Sequence, residues 1–359
     1  MDPLASFTAL PASAAQEEIQ AGLAEIHRRW GLQAAMDCLF EWELKAGYIT
    51  REKLERIERL ELPDPQLGVT FHIQINYARS RYQSEPARQD SLPPVHCAIC
   101  KQNVGRPGKE ALRIYEFPLD GKRRWFFLQL TPFPLFSHHF VLILSQPLAQ
   151  CIDEQTVRDM FAFLALAPEY TVCSNSDVEW AGSSILEHLH FQVFKGLRLP
   201  VQEASALPGF RGLLGSCGLE ILRYPLAAIR LAGERAEEVA EAASRLIRAW
   251  KALSPGRNTV NLLLLREASA YRFFVFLRNP DYRTAERLRR FKSEGVGVIE
   301  ASGEIILPVP EGPEAPVLWR QIRGRGLQIT RGILESNNPV RDPQRIQQLV
   351  AALGVETIP

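Results

Sequence analysis

Two imidazoles and an amide alternate with apolar side chains in the segment His188-Leu189-His190-Phe191-Gln192. Because the side chains of a β-strand alternate between its faces, His188, His190 and Gln192 are predicted to share one face. The opposite face is apolar and suits a core, so a rigid element would present the imidazoles. Neutral imidazole nitrogens act as nucleophiles, general bases or metal ligands. The alternative is a pair of hydrogen-bonded histidines with a structural role on a half-buried strand.

A small polar segment precedes this predicted strand and offers the groups that bind phosphate. Gly182, Ser183 and Ser184 supply a glycine, two hydroxyls and closely spaced backbone donors, and Asn175 lies shortly upstream. Such groups hold a phosphate without adding formal charge. An imidazole beside a phosphate-sized site indicates chemistry at phosphorus.

Two of the six cysteines, Cys97 and Cys100, have the spacing of metal ligands. The six together lack the density of a secreted disulfide scaffold, so reduced thiols are expected. A Cys-x-x-Cys pair lets two thiolates reach one zinc ion, and the neighbouring Lys101 would favour the thiolate form. The pair supplies half of a zinc site, and two buried free thiols are the alternative.

The order of these motifs resembles the histidine-triad superfamily, whose hydrolases carry His-x-His-x-His and whose nucleotidyltransferases carry His-x-His-x-Gln. The chain has the glutamine form, and its HLHFQ string resembles the branch of GDP-L-galactose phosphorylase and bacterial relatives of unassigned function. Segments 71–79, 97–103 and 132–142 are similar to that branch's QxNxAR, CxLCxxN and NPxPIFPxHL, with Thr131 in place of its first asparagine. Each string alone is weak, whereas their order over roughly residues 70–195 is specific.

The resemblance implies a covalent mechanism in which each motif residue has a role. His190 would attack the α-phosphorus of a nucleotide, with its tautomer fixed by a backbone carbonyl such as that of His188. Gln192 would donate an amide hydrogen bond to a phosphoryl oxygen, which suffices when the leaving group is a weak base such as a phosphate. The segment 182–184 would stabilise the charge that grows on the phosphoryl oxygens.

Further nucleotide or phosphate contacts are assigned to other residues. Asn76 and Arg79 fit a nucleotide-binding edge through the resemblance, Asn175 belongs to the phosphate-binding groups upstream of the motif, and Lys101, Arg79 and Arg81 are candidate secondary contacts for phosphate or sugar.

A structural metal is the one cofactor that the resemblance suggests, and none is required for the chemistry. Related hexose-1-phosphate uridylyltransferases bind it through a Cys-x-x-Cys pair, an intervening histidine and the first histidine of the motif. Here Cys97, Cys100 and His188 would fill three of these places. The segment 145–151 has no histidine for the remaining one, although Cys151 could substitute.

Composition excludes several classes of partner. The 359 residues are 46% hydrophobic and carry a formal net charge of +1, with basic residues scattered along the chain. This length allows a large hydrophobic core. The low net charge and the scattered basic residues do not predict a basic surface that would bind duplex nucleic acid or an anionic membrane. No apolar run approaches the roughly 18 residues of a membrane span, and no secretory signal opens the chain, so the cytoplasm is the expected location.

The predicted elements indicate an α+β fold with an antiparallel sheet and flanking helices. Residues 14–60 are predicted to be helical, with a second helix from Thr50 to Leu60, and further helices cover 153–167 and 234–252. Strands are predicted at 69–76, 112–117, 124–130, 139–144, 170–174, 185–194, 219–231, 261–266 and 271–278. Asp120-Gly121 predicts a tight hairpin, and a proline-rich loop at 308–318 precedes a glycine-rich, basic segment at 324–332.

Three regions follow from this pattern and from the resemblance. They are an N-terminal helical segment over 1–65, a catalytic histidine-triad-like half over 66–200 and a second such half over 201–359 that lacks the triad. The family resemblance implies this duplication, and no histidine follows His190.

The sequence therefore predicts a nucleotidyltransferase or phosphorylase that forms a nucleotidyl-histidine on His190. The donor would be a nucleoside diphosphate sugar, with GDP-hexose as the first guess, or a dinucleoside polyphosphate, and the acceptor would be inorganic phosphate or a sugar phosphate. The alternatives are a nucleotide hydrolase of the same superfamily, a nucleotide-binding regulatory module without turnover, and a zinc-stabilised interaction protein. A monomer and a homodimer are both compatible with the sequence.

Overall fold

The computed structural model describes residues 2–77, 95–119, 121, 124–182, 185–340 and 343–357. Four residues that the sequence assigned to phosphate or nucleotide binding, Arg79, Arg81, Ser183 and Ser184, lie outside the described residues. Asp120 of the predicted hairpin also lies outside them.

Helices and strands are numbered here in chain order. The helices are α1 Pro3–Thr8, α2 Gln16–Trp30, α3 Leu32–Ala46, α4 Arg51–Glu55, α5 Glu154–Leu166, α6 Ala236–Leu253, α7 Val298–Ala301, α8 Ala315–Ser336 and α9 Pro343–Ala352. The strands are β1 Ile57–Asp64, β2 Val69–Asn76, β3 Tyr115–Leu119, β4 Arg124–Leu130, β5 His139–Leu144, β6 Tyr170–Ser174, β7 His190–Lys195, β8 Ala206–Leu214, β9 Cys217–Leu222, β10 Ala228–Gly233, β11 Thr259–Glu267, β12 Ala270–Arg278, β13 Glu304–Leu307 and β14 Glu356–Thr357. None of the described helices is long and apolar enough to span a bilayer.

Eleven strands form one antiparallel sheet in the order β14-β8-β9-β10-β12-β11-β6-β7-β5-β4-β3. The two halves of the chain meet in its middle, where β6 pairs with β11 through Ser174 opposite Leu262 and Val172 opposite Leu264. The predicted α+β fold with an antiparallel sheet is confirmed.

The two halves repeat the same order of elements: three strands, a helix and two strands. In the first half these are β3, β4, β5, α5, β6 and β7, and in the second they are β8, β9, β10, α6, β11 and β12. The spatial orders β3-β4-β5-β7-β6 and β8-β9-β10-β12-β11 also correspond. This repetition agrees with the predicted two-half architecture, and the predicted boundary at residue 200 falls between β7 and β8.

The two faces of the large sheet bury separate cores. Phe191 and Val193 of β7 belong to the core that is shared with helices α2, α3, α5 and α6. Phe194 of β7 belongs to the other core, which is shared with α7, α8 and a three-stranded sheet of order β1-β2-β13. Because side chains alternate along β7, His190 and Gln192 face the second core.

The predicted helix from Thr50 to Leu60 is wrong beyond Glu55. Residues 57–64 instead form β1, which pairs antiparallel with β2 and places Leu60 opposite Ile73. Leu60 and Leu62 alternate with charged residues and pack on the second core. The period-two pattern at the end of the segment thus outweighed its helical propensity.

The motif strand is shorter than predicted. It begins at His190 instead of residue 185, so His188 lies in the loop that leads into β7. Leu189 still bonds to the neighbouring segment, since its amide donates to the Leu148 carbonyl at 2.7 Å and its carbonyl accepts from the Leu144 amide at 3.1 Å.

The predicted loop at 308–318 ends earlier, because α8 begins at Ala315 and runs through the glycine-rich segment 324–332. The backbone is non-helical at Arg325, where φ is −136°. At Gly326 a Cβ would lie 2.9 Å from Leu62 Cδ2, so glycine permits the close approach of α8 to β1.

Candidate functional site

Cys97, Cys100 and His188 converge at one point of the described chain. The two sulfurs lie 3.2 Å apart, and His188 Nδ1 lies 3.2 Å from Cys97 Sγ and 3.4 Å from Cys100 Sγ. The turn at residues 97–100, called here the cysteine turn, is held by Asn103. The side-chain amide of Asn103 donates to the Cys97 and Cys100 carbonyls at 2.9 Å each. Among the described residues these three side chains form a group that could hold a metal ion.

The protonation of His188 suits a metal ligand. Its Nε2 lies 2.7 Å from the Leu144 carbonyl oxygen, which can only accept, so Nε2 carries the proton. The lone pair is therefore on Nδ1, which faces the thiols. A ligating histidine that donates its other N–H to a carbonyl is the usual arrangement at protein zinc sites.

The thiols must lose their protons for a metal to bind. Burial, together with the hydrogen bond to Cys100, raises the pKa of Cys97 to about 11. Metal binding would therefore release protons and strengthen with pH. Cys151, the predicted substitute for the missing histidine, is exposed and lies with its sulfur 3.6 Å from Asp153 Oδ2, outside the three-residue group.

The cation beside the cysteine turn is Lys109. Its ammonium donates to the Ala98 carbonyl, within the turn, and burial lowers its pKa. Lys101, which the sequence assigned to thiolates and phosphate, instead pairs with Glu116 at 2.9 Å. Sequence spacing gave no signal for Lys109, because the chain folds back at residues 105–109, where the Gly105 amide donates to the Lys109 carbonyl.

His190 is buried, and its ring is held in one tautomer. Nδ1 lies 2.8 Å from the backbone oxygen of His188, so Nδ1 carries the proton and Nε2 carries the lone pair. Burial lowers the pKa of His190, which keeps the ring neutral. A neutral imidazole with a free Nε2 lone pair can act as a nucleophile.

Gln150 fixes the backbone at His190. Its Oε1 accepts from the His190 amide at 3.0 Å, and its Nε2 donates to Ser174 Oγ at 3.4 Å. Gln192 lies on the same face of β7 as His190 and is partly exposed, opposite Cys173 of β6 and Val141 of β5. Of the three residues predicted to share one strand face, His190 and Gln192 do so on β7, whereas His188 lies in the loop before the strand.

The turn at residues 180–182, called here the Gly182 turn, packs directly against the second half of the chain. Gly182 has a φ of 103°, and a Cβ there would clash with the Val296 carbonyl oxygen and lie 2.7 Å from Gly297 Cα. Only glycine fits this conformation without strain. Asn175 Oδ1 accepts from the Val298 amide at 2.9 Å. The side chain that was predicted to contact phosphate therefore bonds to the first residue of α7 in the structure.

Arg278, at the end of β12, supports the same turn from below. Its guanidinium donates to Asn261 Oδ1 and to the Val296 carbonyl, and Asn261 in turn donates to the Ala181 carbonyl at 3.2 Å. The side chain is fully buried, burial lowers its pKa to about 10, and none of its described hydrogen bonds is to a carboxylate. Sequence reasoning missed Arg278 and Asn261, because each reads as an ordinary strand residue far from the motif.

Asn76 braces the loop before β5. Its amide donates to the Pro134 carbonyl at 2.9 Å, and Gln74 donates to the Leu135 carbonyl at 3.1 Å. His139 accepts from the Leu135 amide at 3.1 Å and packs against Phe194. These contacts shape the strand order around β7, and the predicted nucleotide contact of Asn76 stays a prediction.

Comparison with known sequences matches the site region to a family. A family model described as a domain of unknown function, DUF4922, matches residues 39–195, which include the cysteine pair and the motif. Galactose-1-phosphate uridylyltransferase of Bacillus subtilis is 24% identical over 327 residues, covering 82% of this chain and 63% of that protein. The corresponding protein of Caldanaerobacter subterraneus is 22% identical over 380 residues, covering 94% and 72%. The chain thus spans less than two thirds of the Bacillus subtilis relative.

Solved structures share the fold. The crystal structure of yeast Ap4A phosphorylase in complex with Ap4A has a TM-score of 0.57 at 17% identity and covers 85% of this chain and 96% of the yeast chain. The complex with AMP gives a TM-score of 0.55 at 15% identity, with 85% and 97% covered. At these identities the likeness shows the fold alone, and it agrees with the architecture described above.

Proposed function

We propose that this chain belongs to the histidine-triad superfamily and is a nucleotidyltransferase that works through a nucleotidyl-histidine on His190. The observation that carries the proposal is the tautomer of His190, whose Nδ1 proton is held by the His188 carbonyl at 2.8 Å while Nε2 keeps its lone pair. Sequence similarity to galactose-1-phosphate uridylyltransferases supports nucleotidyl transfer as the reaction class.

The first half-reaction forms the covalent intermediate. The Nε2 lone pair makes a bond to the α-phosphorus of the donor, and the bond from that phosphorus to the bridging oxygen breaks. The bridging oxygen keeps the electron pair and leaves as a sugar phosphate or nucleotide. Nδ1 keeps its proton throughout, so the positive charge of the phosphorylated ring is stabilised by the His188 carbonyl.

The second half-reaction returns the enzyme to its starting state. An oxygen of inorganic phosphate or of a sugar phosphate attacks the same phosphorus, and the nitrogen–phosphorus bond breaks with its electrons returning to Nε2. A nucleoside diphosphate or a new nucleoside diphosphate sugar is released. Two displacements at phosphorus replace one difficult direct transfer.

Gln192 would orient the phosphoryl group from the same face of β7. An amide donates a hydrogen bond but no proton, which matches a phosphate leaving group that needs none. The backbone at Gly182, with Ser183 and Ser184, would bind the growing negative charge. Arg79 and Lys101 remain candidate secondary contacts for the phosphate or sugar of the substrate. A GDP-hexose is the first donor to test.

The three-residue metal group would support the nucleophile from behind. Cys97, Cys100 and His188 would supply three of the four ligands of a structural zinc site, where the metal contributes folding energy. Holding the His188 ring also fixes the backbone carbonyl of the same residue, which accepts the Nδ1 proton of His190. Metal site and nucleophile are thus joined through a single residue.

A dinucleoside polyphosphate phosphorylase is the second candidate. The fold shared with yeast Ap4A phosphorylase over 85% of this chain favours it. The chemistry at His190 would be the same, and the donors would differ only in the group attached beyond the α-phosphorus.

Isotope exchange tests the phosphorylase activity and names the base. A phosphorylase with a covalent intermediate exchanges labelled inorganic phosphate into the β-position of a nucleoside diphosphate without any third substrate. We expect exchange with one of GDP, ADP, UDP or CDP, and loss of exchange in His190→Gly. The matched control is His138→Gly, since His138 has a φ of 50°, which glycine adopts readily. Release of nucleoside monophosphate without exchange would indicate a hydrolase. Binding with neither reaction would indicate a transferase that uses a sugar phosphate if a nucleoside diphosphate sugar still labels the protein, and a regulatory module if none does.

A further inference from the structure

A cavity of about 180 Å³ lies between Trp180 and the segment 283–295. We name it the Trp180 cavity. Its wall is shared with the Gly182 turn, because a Cβ built on Gly295 would lie 3.4 Å from the Trp180 carbonyl oxygen and 3.4 Å from the Gly182 amide nitrogen. The cavity therefore adjoins the turn that leads into the predicted phosphate segment.

Two arginines and one glutamate line the Trp180 cavity, namely Arg283, Arg289 and Glu294. Arg289 is paired with Glu286 at 2.6 Å. Glu294 lies 3.6 Å from Lys292, which is itself paired with Glu300 at 2.7 Å. Arg283 donates to the Pro280 carbonyl and has no carboxylate among its described ion pairs, so its guanidinium is available to an anion in the cavity.

Buried polar groups form the floor of the Trp180 cavity. Asn337 lines it and donates to Thr284 Oγ1 at 3.2 Å. Asn337 Oδ1 accepts from Arg278 at 3.4 Å, which connects the floor to a fully buried guanidinium. Arg278 Nε has no described hydrogen-bond partner although it is buried. A buried guanidinium, whose described hydrogen bonds all go to neutral oxygens and whose charge is felt by Glu300, therefore lies next to the floor of the cavity.

Trp180 closes the remaining side in a strained conformation. Its φ is 67°, which is uncommon for a bulky residue, and the residue is 43% exposed. The Arg283 guanidinium lies 4.5 Å from the ring centroid. Strain of this kind persists where the surroundings impose it and is found mainly at functional sites.

We propose that the Trp180 cavity binds the phosphate group of the second substrate, with Arg283 as its main contact. Guanidinium groups bind phosphate with two parallel hydrogen bonds, and Thr284 and Ser293 add hydroxyl donors. This inference rests on the proposed function. The phosphate that departs with the bridging oxygen and the phosphate that attacks in the second half-reaction would occupy the same cavity, because each is on the same side of the α-phosphorus.

Direct binding tests the cavity independently of catalysis. Titration of the full chain with inorganic phosphate, followed by calorimetry, should give saturable binding that is weakened about tenfold or more in Arg283→Met, since a charged hydrogen bond is lost. Arg290→Met is the matched control, because Arg290 is an exposed arginine of the same segment that does not line the cavity. The same titration with a hexose 1-phosphate shows whether a free or an esterified phosphate is preferred. Absent saturable binding of either, or equal affinity in parent and Arg283→Met, would overturn the proposal.

Two donors that differ only in the leaving group test the role in catalysis. A nucleoside diphosphate loses a phosphate, whereas the p-nitrophenyl ester of the nucleoside monophosphate loses a phenolate. In Arg283→Met we expect formation of the nucleotidyl-enzyme to slow about tenfold or more with the first donor and to stay within about twofold with the second. Equal slowing with both donors would contradict the assignment. If no donor labels the protein but phosphate binding is still lost in Arg283→Met, the nucleotidyl-histidine fails and the phosphate cavity stands.

Discussion

At the scale of single residues, the two nitrogens of each motif histidine have separate partners. His188 donates from Nε2 to Leu144 and presents Nδ1 to the thiols, while His190 donates from Nδ1 to His188 and carries its lone pair on Nε2. The backbone between them transmits any displacement of one ring to the other. The His190 ring is therefore neutral, and its orientation depends on the hydrogen bond to the His188 carbonyl.

The pH dependence of labelling follows from the neutral ring. Burial lowers the pKa of His190, so its deprotonated form predominates at neutral pH and is lost only as the solution becomes acidic. At saturating donor we expect the rate of nucleotidyl-enzyme formation to be constant between about pH 7 and pH 9. The rate should decrease at pH values below about 6.5, the ordinary pKa of histidine. Rapid-quench labelling measures this. A rate that rises through pH 7 to 8 would mean that another group is deprotonated for attack.

Gln192 can be tested by removing its hydrogen bond while keeping its length. In Gln192→Met we expect nucleotidyl-enzyme formation to slow about tenfold or more, because a hydrogen bond to a charged oxygen is lost. The side chain is partly exposed, so the melting temperature should change little. An unchanged rate of labelling would show that Gln192 does not contact the phosphoryl group.

Sequence spacing identified the residues of the motif but not those that support it. Alternation placed His190 and Gln192 on one face, and the family resemblance, not spacing, grouped the cysteine pair with His188, with which it converges in the structure. Lys109 and Arg278 were missed. A lysine that follows a glycine turn and an arginine at the end of a strand belong to no local sequence pattern that indicates a functional site. Their significance comes from folding back onto the cysteine turn and the Gly182 turn.

At the scale of elements, the strand β7 and the Gly182 turn are positioned by different halves of the chain. β7 lies between β5 and β6 of the first half, whereas the turn rests on residues 296–298 of the second. Most strands could be predicted because they are continuous apolar runs bounded by turn residues. β1 could not, because its charged residues and its short apolar alternation also fit a helix until β2 and β13 provide a partner.

The close packing of the Gly182 turn predicts a large cost for one methyl group. Gly182→Ala adds a Cβ against the backbone of Val296 and Gly297 at a positive φ, whereas Gly256→Ala meets a φ of 73° with no atom within 4 Å. We expect Gly182→Ala to lower the free energy of unfolding by about 1–3 kcal/mol more than Gly256→Ala. Urea denaturation of both variants measures the difference. Equal losses would mean that the turn is not held against the second half.

At the scale of the whole molecule, the second half completes the site although it lacks the motif. Its strand β11 extends the sheet at β6, and its Arg278 and Asn261 hold the Gly182 turn. A chain that ended at residue 200 would lose these supports. The second half therefore provides the half that carries the motif with a supporting surface.

The metal group predicts a measurable contribution to the stability of the whole chain. We expect about one zinc ion per chain by elemental analysis, and a fall in melting temperature after chelation that zinc restores. Cys100→Ala should lose the zinc, whereas Cys217→Ala, which removes a buried cysteine of β9 far along the chain, should keep it. Equal zinc content in both variants would place the metal elsewhere or exclude it.

Intact-protein mass spectrometry tests the central claim most directly. The protein is mixed with nucleoside diphosphate sugars and dinucleoside polyphosphates in the absence of phosphate, and the parent is compared with His190→Gly and His138→Gly. We predict a mass gain of one nucleoside monophosphate in the parent and in His138→Gly, none in His190→Gly, and discharge of the adduct when phosphate is added. A donor that is turned over without any adduct, or an adduct that persists in His190→Gly, would contradict the nucleotidyl-histidine mechanism.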